Sequence, residues 1–571
     1  MKKSRILYGA ALTLAAFVVA GMAKDDREFK ISKNLDIFMS VYKELQMFYV
    51  DEPNPDDIVP AAIDKMLSSL DPYTTYIPEK DKEAYRFQVS GEYGGVGSII
   101  SVSDTDLIQV KEVYAGTPSW KVGLKPGDMF LSIDGESMRG KKVQDVSNKL
   151  RGKAGETVKL ELQRIGVAKP VKIDIVREII KLDAVDYYGM LDSETGYISL
   201  RGFETDCAEQ LKKAFLDLRD NKGAKRLLLD LRNNPGGLLD ESLQIVNLFV
   251  PENSKLLSTH GRRKAMDRTY TAFRQPVDTV MPIVVMINRS SASASEIVAG
   301  ALQDLDRAVI VGQRSFGKGL VQTTRDVAYD GYLKVTTAKY YTPSGRCVQA
   351  LDYTNKGEDG AVGYVADSLL TEYKTKHGRS VYDGGGISPD VLLESQKYKP
   401  VTISMIAGDF PFKYLISLQE QGKTFGRDKD KKMTDAAYED FIAFMKSQKK
   451  FTYKTRTQEA CQKMISTAKS EGLYEEAKAM IDAVEKQVTA NLERDMRAAK
   501  DEIKPIVESE AIRITELRRA SIGHTLQYDT QIDEAKKILA DGERYRGLLN
   551  GTVASHAGDK RGFKVEQEKK E

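Results

Sequence analysis

Met281-Pro-Ile-Val-Val-Met-Ile287 runs directly into Asn288-Arg-Ser-Ser-Ala-Ser-Ala-Ser-Glu296, and the pattern Ile297, Ala301, Leu302, Leu305 follows. A short apolar run bounded by small polar residues reads as a buried strand. Apolar residues recurring three and four apart read as a helix. The stretch between is a tight strand-to-helix turn that carries four serines, Ser290, Ser291, Ser293 and Ser295. At such a turn the first N–H groups of the helix point outward and the helix dipole favours negative charge. A serine there can attack a carbonyl with donors at hand for the oxyanion. The same residues also fit a plainer pattern: Ser293-Ala-Ser-Glu296 is a capping box, and most such matches are only helix starts.

A second unit of this kind lies upstream. Arg226 to Leu231 is a strand, Asn233-Asn234-Pro235-Gly236-Gly237 a turn, and Leu238 to Phe249 a helix. Repeated strand-turn-helix units imply parallel strands with crossover helices, hence an α/β sheet. Downstream, Gly312-Gln-Arg-Ser-Phe-Gly-Lys-Gly-Leu-Val-Gln322 sets one lysine, Lys318, between two glycines. A serine and a lysine without a nearby histidine point to a Ser/Lys hydrolase. The histidines are His260, His377, His524 and His556. His260 sits in a polar loop, His260-Gly-Arg-Arg-Lys264, and no His-Glu-x-x-His pattern of a metallopeptidase occurs.

Length and charge bound the rest. A chain of 571 residues is too long for one core, so three or four domains are expected. A net charge of +3 gives no reason to expect nucleic acid, and no phosphate-cradling loop is present. Cys207, Cys347 and Cys461 lie far apart, which excludes a disulfide scaffold and a zinc-type spacing. At the N-terminus a basic start, Lys2-Lys3-Ser-Arg5, precedes the apolar run Ile6 to Ala20 and the small residues Gly21 and Ala23. Residues 1–23 read as a signal peptide, with an uncleaved anchor as the alternative. The chain is expected to be exported; in a bacterium that means the periplasm or the outer face of the inner membrane.

Four regions follow the signal. Residues 27–88 read as helices, Asn34 to Phe48 and Ile58 to Leu67. Residues 89–180 are β-rich, with strands at Leu107 to Val113, Met129 to Ile133, Val158 to Leu162 and Val171 to Val176, and a helix at Val143 to Leu150. Its loop Gly94-Gly95-Val96-Gly97 can converge backbone N–H groups on an anion, and the strand after it can accept an extended peptide. A glycine turn that merely shapes a hairpin is the alternative. Residues 181–398 form the α/β core. Residues 399–571 are charged and helix-rich, with helices at Phe412 to Gln419, Ala436 to Met445, Glu459 to Met480 and Glu502 to Ile514, and a disordered tail from Lys560 to Glu571.

Taken together, LDPYTTY (Leu70 to Tyr76), GLKPGD (Gly123 to Asp128), DLRNNPGG (Asp230 to Gly237), SASASEIVAGALQD (Ser291 to Asp304), RAVIVG (Arg307 to Gly312), FGKGLVQ (Phe316 to Gln322), YYTPSGR (Tyr340 to Arg346) and GISPD (Gly386 to Asp390) resemble the motifs of the C-terminal processing peptidases, or tail-specific proteases. They occur in the family's order and span residues 35 to 395.

The resemblance implies a crotonase- or Clp-protease-like α/β core, a PDZ domain over 89–180, and an N-terminal segment that dimerises or braces the core. The family's serine precedes its lysine by twenty-five residues, which selects Ser293 as nucleophile and Lys318 as general base. A free lysine, pKa roughly 10.4, must be desolvated to act so. Phe316, Leu320 and Val321 are the expected apolar surroundings. Gln322 would orient the amine. Asp304 takes a structural role, since a carboxylate beside the base would keep it charged. The Ala294 N–H and that of Gly237, or of Gly236, would form the oxyanion hole. Gly95, Val96 and Gly97 would hold a C-terminal carboxylate, and the PDZ domain would deliver substrate tails or gate the site.

The implied activity is endoproteolysis near C-termini, needing no metal, ATP or other cofactor. Protein or peptide substrates with free C-termini are the implied partners. The helical region 399–571 lies outside the resemblance, so self-association and adaptor docking both stay open there. A non-catalytic peptide-binding scaffold is the rival reading, against which intact Ser293 and Lys318 argue. The chain departs from the family pattern at Arg289-Ser290, Cys347 and Trp120.

Overall fold

The computed structural model describes residues 26–356, 362–365 and 369–559; the signal peptide expected over 1–23 and the tail expected over 560–571 lie outside the described residues. Two compact units divide the chain. The smaller joins the N-terminal residues through Ile77 to Thr324–Val335. It holds a helix over 26–48 and the helix Pro55–Ser68, whose N-cap Asn54 accepts from the Asp56 N–H. Its strand Thr75–Ile77 pairs antiparallel with 332–334. Asp71, from LDPYTTY, accepts the N–H groups of Tyr73 and Thr74 and so shapes the turn before that strand.

The larger unit holds everything else. Its PDZ portion is an antiparallel sheet of Ser98–Val102, Ile108–Val113, Met129–Ile133, Thr157–Gln163 and Val171–Val176, with the helix Val143–Leu150. Val110, Phe130, Ile133, Val146, Val158, Leu162 and Ile175 are fully buried at its centre. Ser98–Val102 is an edge strand.

The peptidase core is a six-stranded sheet: β1 (Val185–Met190), β2 (Thr195–Leu200), β3 (Arg226–Asp230), β4 (Ile283–Ile287), β5 (Val309–Gly312) and β6 (Val391–Leu392). β1 runs antiparallel to β2, and all later neighbours are parallel. Side chains alternate along each strand. Leu227, Leu229, Ile283, Val285, Ile287 and Ile310 face a core built with α1 (Cys207–Leu216), α2 (Leu239–Asn247) and α3 (Ala294–Asp304). Leu228, Val284, Met286, Val309 and Val311 face the other way, onto Ile532, Ala535, Ile538 and Leu539 of α4 (Thr530–Ala540) and Tyr545 and Leu548 of α5 (Gly542–Asn550). This explains the unbroken apolar runs of the strands: both faces are covered. A division at residue 398 would separate the sheet from one covering layer.

Between these parts, Phe410–Glu420, Asp435–Ser447 and the helical stretch Lys500–Thr525, which is kinked at Leu517 (φ 71°), pack a helical core around Phe441, Ile503 and Val507. Ion pairs Lys111–Asp409 (2.8 Å), Lys413–Asp104 (2.7 Å) and Arg513–Glu112 (2.6 Å) join it to the PDZ sheet. The single helix expected over Glu459 to Met480 is two, Arg456–Ser470 and Tyr474–Val488. Gly472 between them adopts φ 75°, the left-handed conformation that ends a helix.

Because Ile538 is buried against the sheet, Ile538→Ala should destabilise the protein by about 2–5 kcal/mol. Lys537→Ala, on the exposed face of the same helix, should cost under about 0.5 kcal/mol. Chemical denaturation midpoints measure both, and equal values would mean that α4 does not cover the sheet.

Candidate active site

The carboxyl ends of β3 and β4 present two turns side by side. In the first, Asn234 fixes the geometry: its Nδ2 donates to the Leu200 C=O (2.8 Å) and its Oδ1 accepts the Gly236 N–H (2.9 Å). In the second, Ser293 stands at the head of α3 with φ 54° and ψ −111°, a strained conformation for a residue with a side chain. This is the sharp strand-to-helix geometry that lifts a nucleophile out of a sheet. The two turns are stitched together. Asn233 N–H donates to Asn288 Oδ1 (3.0 Å) and Asn288 Nδ2 to Asn233 Oδ1 (2.9 Å). Ala292 N–H and Ser295 Oγ both donate to the Asn234 C=O (3.1 and 2.9 Å).

The serines divide by burial. Ser291 and Ser295 are fully buried, their hydroxyls given to the Leu231 and Asn234 carbonyls. Ser290 is exposed, and Ser293 is half-buried at the helix start. Hydrogen bonding thus leaves Ser293 as the hydroxyl at the turn's apex, the residue the lysine spacing selects.

The turn at Gly236 comes very close to it. A Cβ on Gly236 would lie 2.8 Å from Ser293 Cβ and 2.9 Å from the Ala294 N, so only glycine permits this approach. The Gly236 N–H is already committed to Asn234. Those of Ala294 and Gly237 enter no hydrogen bond among the described residues. Of the two glycines, Gly237 is the one whose N–H is left without a hydrogen bond among the described residues.

Glu296 is the residue whose importance sequence reading missed. Its side chain is fully buried, three residues into α3. Oε2 accepts the Ser293 N–H (2.9 Å) and the Lys318 N–H (2.8 Å). Oε1 accepts the Gly317 N–H (2.7 Å) and the Ser315 hydroxyl. Burial pushes its carboxyl above the ordinary value, against the opposing effect of these donors. The capping-box pattern was the available signal; nothing in it announced the contacts to 315–318. Tyr340 adds a second brace, its hydroxyl 2.7 Å from the Lys318 C=O and 3.3 Å from the Ser293 C=O.

Lys318 itself is half-buried. Leu320 is buried beside it in sequence, but Phe316 is 43% exposed and forms no apolar wall. Gln322 donates its amide to Thr336 Oγ1 (3.2 Å) on the facing strand, where a bond to the amine was expected. Asp304 ends α3, eleven residues beyond Ser293, which at about 1.5 Å per residue puts it about 16 Å along the helix. There it pairs with the fully buried Arg346 (2.8 Å) and accepts the Ser344 N–H (3.0 Å). His260 is exposed and lies near Asp267 (3.4 Å).

In the PDZ loop Gly95, Val96 and Gly97 are buried. The Val96 C=O accepts from Ser119 N–H (2.8 Å), and the Gly97 C=O from Tyr114 N–H (3.1 Å). The loop leads straight into the edge strand Ser98–Val102. Arg151 lies over the Tyr93 and Phe87 rings at its flank. Trp120 is exposed.

Residues 194–355 match the family model of peptidase family S41. Residues 109–164 match a PDZ domain, and 401–539 the C-terminal helical domain of probable PDZ-proteases. The chain is 37% identical over 349 residues to a carboxy-terminal-processing protease of Bartonella bacilliformis, covering 61% of this chain and 80% of that one. It is 32% identical over 406 residues to a probable CtpA-like serine protease of Staphylococcus aureus, covering 70% and 72%. Among solved structures, the photosystem II D1 C-terminal processing protease is similar at 28% identity and TM-score 0.34, over 62% of this chain and 86% of that one.

Replacing Glu296 by Gln would set an amide NH2 against backbone donors and lose acceptors in a buried site. Glu296→Gln should therefore cost about 1–3 kcal/mol of stability. It should also lower kcat roughly a hundredfold through misplacement of the turn. Calorimetry together with peptide-cleavage kinetics checks this; unchanged kcat would remove Glu296 from the site.

Proposed function

We propose a Ser/Lys mechanism for this chain, which belongs to the carboxy-terminal-processing proteases of peptidase family S41 and is a serine-type peptidase. Ser293 Oγ attacks the scissile carbonyl and its proton passes to the Lys318 amine. The Ala294 and Gly237 N–H groups receive the oxyanion. Collapse breaks the C–N bond, and the departing amine of the C-terminal fragment takes the proton from Lys318. A water molecule, deprotonated by Lys318, then attacks the ester, and Ser293 leaves with its proton restored. One observation carries this reading: a single buried carboxylate, Glu296, binds the backbone N–H groups of both Ser293 and Lys318.

Lys318 is half-buried before any peptide is seated. A seated substrate would expel the remaining water and favour the neutral amine. On this reading Gln322 has a supporting role through its strand, and Asp304 a structural one. The PDZ domain would take the substrate's C-terminus as an added strand along Ser98–Val102, with the carboxylate at Gly95, Val96 and Gly97. Peptide capture there would shift the resting population toward the active one. The basic and apolar N-terminal segment supports export to the periplasm, where exported proteins with free C-termini are the substrates.

The test uses purified protein, an unstructured substrate with an apolar C-terminus, and mass spectrometry of the products. Wild type should release C-terminal fragments, while Ser293→Ala and Lys318→Ala should lose at least about three orders of magnitude in kcat. Cleavage surviving in Ser293→Ala would overturn the nucleophile. Tail binding without cleavage by the wild type would favour the peptide-binding scaffold.

A further inference from the structure

Arg232 immediately precedes the Asn233–Gly237 turn, and its guanidinium is held from two directions. Asp230, at the end of β3, accepts from Nε (3.0 Å) and Nη2 (2.6 Å). The remaining partners come from the far end of the chain. Asp529 Oδ2 lies 2.7 Å from Nη2, and Gln531 Oε1 accepts from Nη1 (2.8 Å). Gln531 is itself tied by its Nε2 to the Glu394 C=O (2.7 Å). The arginine side chain is only 14% exposed, so these bonds operate with little competition from water.

We propose that Asp529 and Gln531 are positioning residues for catalysis: they hold Arg232, and through it the peptide planes of the turn that offers the Gly237 N–H to the oxyanion. The inference rests on the peptidase reading above. The mechanical link is short. Arg232 is bonded to Asn233, whose φ of 60° lies in the left-handed region, uncommon for a residue with a side chain. Asn233 and Asn288 exchange two hydrogen bonds, and Asn288 N–H donates to Ser291 Oγ (2.9 Å) two residues before the nucleophile. Rotation of the Arg232–Asn233 peptide would therefore move both turns. A planar guanidinium with fixed donors is suited to resist that rotation, and a lysine is not.

Asp529 divides its two oxygens between two tasks, which makes the idea testable. Oδ1 caps α4 by accepting the Gln531 and Ile532 N–H groups (3.0 and 3.2 Å). Oδ2 serves Arg232. Asparagine caps a helix as well as aspartate does. Asp529→Asn thus keeps α4 and removes the charged contact to Arg232.

The experiment compares full-length wild type, Asp529→Asn, Asp529→Glu and the exposed control Asp533→Asn in peptide cleavage, thermal melting and amide hydrogen exchange. Asp529→Asn should lower kcat roughly tenfold or more with KM within about twofold, as expected for misplaced machinery. Its melting temperature should match that of Asp533→Asn, and amides 233–237 should exchange faster than in the wild type. Asp529→Glu should recover part of kcat. Wild-type kcat in Asp529→Asn, or unchanged exchange at 233–237, overturns the proposal. A loss of kcat that follows a lowered melting temperature also overturns it, because the role would then be structural. Failure of the peptidase reading is distinct: wild type and Ser293→Ala would cleave alike, while the exchange measurement would still decide for or against Asp529.

Discussion

One buried carboxylate organises the candidate site. Ser293 and Lys318 belong to different segments, the head of α3 and a loop after β5, and besides the Phe316 N–H to Ser291 C=O bond (3.0 Å) and the Tyr340 hydroxyl, a further contact holds the two backbones together. Glu296 does so by accepting both backbone N–H groups, together with those of Gly317 and the Ser315 hydroxyl. The arrangement costs stability. Burial raises the Glu296 carboxyl above its ordinary value. A group whose folded pKa is raised stabilises the fold only while protonated, below its unfolded value of roughly 4.3, and that contribution is lost as pH rises through the folded value. At neutral pH the ionised form is therefore a net cost, tolerated where four donors meet it. Strain and desolvation concentrated at one point, beside the positive φ of Ser293, are what a functional site accepts and a structural one avoids.

The sheet behind this site needs both its covering layers. Helices α1, α2 and α3 seal one face, while α4 and α5, from the end of the described chain, seal the other. Tyr545 makes the closure specific, its hydroxyl accepting the Ile283 N–H (2.9 Å) and donating to the Ile283 C=O (3.1 Å) at the start of β4. The strand that leads into the Ser293 turn is thus bonded to the last α-helix of the described residues. In this chain α4 and α5 share a core with the sheet, while the helices over 400–511 keep a core of their own.

Much of this was legible in the sequence where periodicity or backbone chemistry speaks locally. The strand-turn-helix units at Asn234 and Ser293, the PDZ helix Val143–Leu150 and the tight approach of Gly236 follow from apolar spacing and glycine. The apolar runs of β3 and β4 marked them as strands, but no pattern could say that residues 530–550 cover their second face, because pairing across such a distance leaves no local trace. The same limit hid the Glu296 contacts to 315–318 and the Tyr340 brace. Gly472, inside the helix expected over Glu459 to Met480, is the local signal for the break that the expectation did not use. Phe316 was read as apolar lining because its chemistry suits burial, whereas the chain direction at Gly317 turns it outward.

The two turns differ in how they are secured, and the difference bears on control. The nucleophile turn is locked by main-chain and carboxylate bonds within one folding unit: Ser291 to Leu231, Ser295 to Asn234, Glu296 to Ser293. The neighbouring oxyanion turn depends in addition on Arg232, whose partners Asp529 and Gln531 are charged or polar and come from the C-terminal helices. Those helices also carry Asp409, Lys413 and Arg513, which pair with the PDZ strands and their loop. A helical region bonded at one end to the PDZ sheet and at the other to Arg232 provides a physical connection between the PDZ domain and the Asn233–Gly237 turn. On the proposed mechanism, coupling would then act on the N–H of Gly237 more readily than on Ser293, because the serine's conformation is already over-determined by its own turn.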